Sequence, residues 1–218
     1  KPNRSWRACL YLLVEYTGGR ISFTAITVEW LEEFKRFLLT KVAGNTASQY
    51  FATLKTALNM ATREGILVVN PGANVAKIPR RDGNRVYLTE EEQAGMAAAP
   101  CDYPEVKYAF LFACQTGLRI SDVKALTWGD VQGNRIEIMQ EKTEEAVYLD
   151  LSPMAKEIIR LKRKGNVAHF PTSKLFVLPS DTTIKRDLRN MAKAAGISKH
   201  VTFHVARHTF ATTALTEG

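Results

Sequence analysis

Cysteine is scarce in this sequence. The 218 residues contain three, Cys9, Cys101 and Cys114, widely separated and without a Cys-x-x-Cys pair. That spacing excludes a disulfide-stapled scaffold and points to reduced thiols in a cytoplasmic setting. No apolar run is long enough to cross a bilayer, so no membrane partner is expected. No secretory signal pattern is recognisable from Lys1 onward. An initiating methionine is also absent, so the natural N-terminus is expected upstream of Lys1. Internal repeats and low-complexity tracts are missing, which excludes solenoids and disordered arrays.

Acidic residues are outnumbered as well. Thirty Lys and Arg face 22 Asp and Glu, a net charge of +8. The excess is uneven: residues 1–80 hold 11 basic and 5 acidic residues, and residues 81–218 hold 19 and 17. A basic N-terminal third suits a polyanion such as double-stranded DNA, whose phosphates dominate affinity. Charge alone fits an ordinary basic soluble domain equally well.

What is present reads as mainly α with a small antiparallel β-hairpin. Three helices are expected in the first third. One covers about Trp6 to Tyr16, with Leu10, Leu13 and Val14 facing inward. A second covers Val28 to Leu39, where Trp30, Leu31, Phe34, Phe37 and Leu38 recur at three- and four-residue spacing. A third covers about Thr46 to Glu64, with a stripe of Tyr50, Leu54, Ala57, Leu58 and Ala61, stopped by Gly65. Asn70-Pro71-Gly72 marks a turn. The polar, basic stretch around residues 80–86 lacks apolar periodicity and divides a helical domain over 1–79 from a mixed α+β domain over 87–218.

In the second region, Thr89 and Glu92 have capping-box spacing. Pro104 to Gln115 forms a strongly apolar helix. Arg135–Met139 and Ala146–Leu151 alternate as two strands around a polar turn that carries Lys142. Helices follow over about 152–164 and 181–195, and a last one begins near Thr202.

Three places carry candidate chemistry. Arg119 follows the Gly117 break after a buried helix and sits where a short helix begins, a good position for a phosphate clamp. Its simpler role is a helix-junction arginine paired with Asp122. His204 and Arg207 lie three apart on one helix face, placing a titratable imidazole beside a fixed cation. The simpler role is a basic face. A metal site is a further alternative, because His200, His204 and His208 are spaced by four, but the metallopeptidase pattern needs Glu where Val205 stands. Lys142, near a hairpin tip, could donate a proton to a leaving oxygen; most tip lysines are merely solvated.

Together these residues define a recognisable pattern. Thr116-Gly117-Leu118-Arg119-Ile120-Ser121-Asp122 resembles the first arginine box of the tyrosine recombinases, also called phage integrases. Phe203-His204-Val205-Ala206-Arg207-His208-Thr209-Phe210-Ala211-Thr212 resembles their second box, and Lys142-Thr143 falls between the two. The Val-Ala-Arg-His-Thr wording is most similar to integrases of Bacteroides-type mobile elements. The resemblance covers nearly the whole chain. It implies a helical, SAM-like core-binding domain followed by a mixed α+β catalytic domain. It implies cleavage of DNA through a 3′-phosphotyrosyl intermediate, with no metal, ATP or other cofactor. Arg119 and Arg207 would hold the phosphate, Lys142 would protonate the leaving oxygen, and His204 would assist proton transfer. Asp122 and His208 would support them. It further implies a homotetramer on two synapsed duplexes. Lys55, Arg80, Arg81 and Arg85 are candidate phosphate contacts. In that family the nucleophilic tyrosine follows the second box. Here every tyrosine precedes it, so the nucleophile is expected beyond Gly218. Two other readings stay open: a DNA-binding module without catalysis, and an enzyme like the type IB topoisomerases.

Overall fold

The computed structural model describes residues 4–81, 83, 85–139, 146–163 and 170–217. The chain divides into two compact units, Lys1–Gly83 and Asn84–Gly218. Among the described residues no helix is long and apolar enough to cross a membrane.

The first unit contains α1 (Arg4–Thr17), α2 (Val28–Lys41) and α3 (Gly44–Arg63). Thr27 caps α2, its hydroxyl accepting the Trp30 N–H at 3.2 Å. Leu31, Phe34 and Leu38 of α2 are fully buried against Ala47, Phe51, Leu54 and Leu58 of α3. Removing each such large side chain from water contributes about 1.5–3 kcal/mol. Gly65 ends α3 in the left-handed conformation, at φ 73°. Its N–H reaches Thr62 O and the Ile66 N–H reaches Ala61 O, satisfying carbonyls that the helix leaves open.

One inward face differs from the sequence expectation. The structure buries Cys9 and Leu12 of α1, whereas Leu10 and Val14 lie 59% and 45% exposed. Leu13 and Tyr16 pack at the edge of the core. The 9-12-13-16 stripe has the same helical spacing as the one through Leu10 and Val14. What decides between them is Tyr16, whose ring lies 4.9 Å from Phe37 and 5.4 Å from Trp30.

After α3 the chain returns along it. Val75 and Ile78 enter the core, and the Ser48 hydroxyl donates to Ile78 O at 2.7 Å. Arg80 donates to Gln49 Oε1 at 2.6 Å. Asn45 bonds the backbone of Arg81 twice, donating to its carbonyl at 2.8 Å and accepting its N–H at 2.9 Å. The first part of the stretch expected to be a linker is thus fastened to α3 by side-chain amides.

The second unit is built around α5 (Pro104–Thr116), which buries Val106, Ala109, Phe110, Phe112, Ala113 and Cys114. Such all-round burial explains why its sequence is apolar rather than striped. α4 (Glu90–Ala98) begins at the Thr89–Glu92 capping box. α6 (Ile120–Ala125) follows the Gly117 turn. α7 (Pro153–Arg163), α8 (Asp181–Ala194) and α9 (Phe203–Glu217) complete the described helices. Asp187 of α8, 1% exposed, accepts the Tyr103 N–H at 3.0 Å and the Cys101 thiol at 3.3 Å, tying α8 to the start of α5.

The sheet has three antiparallel strands in the order β1 (Val131–Gln132), β2 (Arg135–Met139), β3 (Ala146–Asp150). Ile136 pairs with Val131 on one side and Leu149 on the other. β1 was not expected from the sequence, because two residues are too few to show a period of two. Gly133, at φ 61°, supplies the tight turn between β1 and β2.

Candidate active site

The site forms where the C-terminal end of α5 meets α9. Gly117 stops α5 in the left-handed conformation, at φ 65° and ψ 11°, and donates its N–H to Ala113 O. The chain then runs through buried Leu118 to Arg119, which occupies the N-cap position of α6. Arg119 Nη1 lies 4.0 Å from Asp122 Oδ2. The Asp122 side chain is wholly buried, and its Oδ2 accepts no hydrogen bond among the described residues. Burying a carboxylate is costly unless a cation faces it, so this pair restrains Arg119.

α9 brings the second set. Phe203, Val205, Ala206 and Thr209 face the core, and Phe203 meets Phe110 of α5 edge-on at 6.0 Å. This leaves His204 exposed and Arg207 half-buried at the junction with Gly117. Arg207 Nη1 donates to the Gly117 carbonyl at 2.7 Å. The two arginines are therefore gathered at one turn, since Arg119 follows Gly117 by two residues. A guanidinium carries five donors, so one bond to a carbonyl leaves capacity for an anion.

His204 and His208 are in direct contact, their rings 4.5 Å apart and nearly perpendicular. Burial, followed by the positive charges of His204, Arg85 and Arg207, holds the His208 imidazole below its usual range. No group of three His, Cys, Asp or Glu among the described residues is arranged to hold a metal ion. An open cavity of about 280 Å³ lies beside Arg207, lined by Gly117, Leu118, Val147, Leu149 and Phe210.

The structure thus brings together Arg119, Asp122, His204, Arg207 and His208, with Arg85 near enough to act on His208. Lys142 lies outside the described residues. Lys55, Arg80 and Arg81 belong to the first unit, where Lys55 and Arg80 have side-chain partners and Arg81 is held through its backbone. The Lys55 ammonium donates to Val75 O at 2.6 Å, a bond that fastens the returning chain. Two site features escaped the sequence reading. One is the Gly117 carbonyl as a seat for Arg207. The other is Thr209, whose hydroxyl donates to Val205 O at 2.9 Å and accepts the Leu88 N–H at 3.0 Å. Thr209 stands inside the second box, so its place in the motif was a usable signal; a backbone carbonyl leaves none.

Comparison with known proteins identifies the family. The Phage integrase family matches residues 86–218, and the Phage integrase SAM-like domain matches residues 2–77. The chain belongs to the phage integrase family, the tyrosine recombinases. A tyrosine recombinase of Thermosipho africanus is 30% identical over 182 residues, and tyrosine recombinase XerC of Thermodesulfovibrio yellowstonii is 25% identical over 195. Each alignment covers 79% of this chain and 63% of the relative, so the chain spans under two thirds of their length. The fold matches that of lambda integrase residues 75–356, solved as a dimer bound to a COC′ core site. The TM-score is 0.77 at 20% identity, covering 97% of this chain and 78% of that one.

Proposed function

We propose that this chain carries the phosphate-holding part of a site-specific recombinase that cuts and rejoins double-stranded DNA through a 3′-phosphotyrosyl link. The observation that carries this reading is the seating of Arg207 on the carbonyl of Gly117, two residues before Arg119. Two fixed cations at one turn can bind the non-bridging oxygens of a phosphodiester and stabilise the extra charge of its pentacoordinate transition state. Such charge stabilisation supplies what a metal would otherwise provide. The tyrosine's oxygen bonds to phosphorus as the 5′-oxygen leaves and takes up a proton. The phosphate bond energy stays in the covalent link, so rejoining needs no ATP.

In this reading Lys142 protonates the leaving 5′-oxygen and His204, exposed beside Arg207, assists proton transfer with the nucleophile. Asp122 restrains Arg119, and His208 packs against His204. The residues of 1–79 act as the core-binding domain and those of 87–218 as the catalytic domain, around a basic linker over 80–86. Arg80, Arg81 and Arg85 meet phosphates, and Lys55 does so only where it also serves Val75. The nucleophile is a tyrosine of the intact protein. The active assembly is a homotetramer on two synapsed duplexes, working in the bacterial cytoplasm where the DNA lies. A lambda integrase tetramer bound to a Holliday junction has the same fold, which supports that assembly.

The test is trapping. The intact protein is incubated with a duplex carrying its recombination site, nicked beside the cut so that the broken piece diffuses away. A covalent protein–DNA adduct with the DNA joined by its 3′ end is expected. Specific binding with no adduct would make the chain a DNA-binding module. Relaxation of supercoiled DNA without site preference or strand exchange would make it topoisomerase-like.

A further inference from the structure

We propose that Phe210 is a positioning residue whose ring, seated on the bare α-carbon of Gly117, holds Arg207 in register with Arg119. This rests on the catalytic reading of Arg207 given above. Gly117 is met from two sides by one face of α9. Its carbonyl accepts Arg207 Nη1 at 2.7 Å. Its α-carbon is covered by Phe210: a β-carbon built there would collide with Cδ1 and would lie 2.9 Å from Cε1 and 3.1 Å from Cγ of that ring. Arg207 and Phe210 are three residues apart, hence neighbours on the helix surface.

The glycine therefore does more than permit a left-handed turn. Asparagine can also adopt that conformation, but any side chain would displace the ring. With the ring in place, α9 can neither slide nor roll toward Gly117 without a clash, and moving away would lengthen the Arg207 bond. The ring sets the distance, and the guanidinium bond sets the direction. Because Arg119 leaves the same turn two residues later, the spacing of the two cations depends on this contact. Phe210 also lines the 280 Å³ cavity next to Arg207, so its outer edge is free of the tight packing that fixes its inner edge.

The experiment measures single-turnover adduct formation by the intact protein at saturating suicide duplex, with DNA affinity and melting temperature measured in parallel. Phe210→Ala is expected to slow cleavage on the order of a hundredfold, the scale of a misplacement of about 1 Å, while DNA affinity stays within about threefold. Phe210→Leu, which keeps most of the bulk, recovers at least about a tenth of the wild-type rate. Gly117→Ala is also slow, and combining it with Phe210→Val makes it faster, because valine lacks the Cδ1 and Cε1 atoms that the new methyl would meet. A role confined to stability would lower the melting temperature and leave the saturating rate unchanged; that result overturns the proposal. If Phe210→Ala does not fold, the Gly117→Ala and Phe210→Val pair decides: purely additive rate losses overturn the proposal, and mutual rescue supports it. Arg207→Ala is the reference. If it is inactive while Phe210→Ala cuts at the wild-type rate, the positioning role fails and the catalytic reading stands. If Arg207→Ala cuts normally, both fail.

Discussion

The Leu88 N–H donates to the Thr209 hydroxyl at 3.0 Å, across 121 residues of sequence. Both groups are buried, and the same hydroxyl donates to Val205 O. The segment entering the second unit is thereby pinned to the helix that carries His204 and Arg207.

Replacing Thr209 by valine keeps the shape but leaves the Leu88 N–H unpaired in a buried site. An unsatisfied buried donor costs about 1–3 kcal/mol. Thermal unfolding of T209V is expected to begin several degrees below wild type, with T209S in between or close to wild type. Equal melting temperatures for all three would show that the bond contributes nothing.

The geometry at Gly117 predicts that Arg207→Lys does not preserve activity. A lysine cannot keep one donor on the carbonyl and present a planar fork to a phosphate. Losing one such charge-stabilising group costs about a hundred- to a thousandfold in rate. Adduct yield should fall by that order for R207K, while gel-shift affinity for the same duplex changes little. Arg119→Ala should behave alike.

His208 makes the fold sensitive to acid. Its folded value is depressed, by burial first and then by the charges of His204, Arg85 and Arg207. The unfolded chain therefore binds the proton more readily. The stability tied to the neutral ring is fully present above its ordinary value, 6.5. It is lost as the pH falls from there through the lower folded value. Melting curves of wild type and His208→Gln between pH 5 and 8 should show a steeper acid loss for wild type. Parallel curves would exclude His208 as the cause.

The cysteines should react in a fixed order. Cys9 and Cys114 are 4% and 3% exposed. Burial raises the Cys9 thiol to about 11 and pushes Cys114 up further. Cys101 is half-buried, and its thiol is raised by burial and by its bond to Asp187. Iodoacetamide followed by peptide mapping should label Cys101 first and slowly, and the other two only on unfolding. Early labelling of Cys9 would contradict the packing of α1.

Much of this molecule was legible before folding. The Thr89–Glu92 cap, the Gly65 and Gly117 stops, the stripe of α2 and the two longer strands are local signals, written within one or two helical turns. The motif residues Arg119, His204 and Arg207 are recognisable for the same reason: their spacing is short and their chemistry is unusual together. Tertiary contact decided the rest. Two stripes on α1 were equally periodic, and the ring of Tyr16 meeting Phe37 and Trp30 selected one. A two-residue strand has no period, so β1 exists only because Ile136 is there to pair with. The sequence by itself determined that Arg119 would stand at a helix start and that His204 and Arg207 would share one helix face. Only the packing of α9 on α5 decided that one guanidinium would rest on the carbonyl of Gly117. That carbonyl and the space above its α-carbon are properties of the backbone, which every residue shares and no letter of the sequence marks.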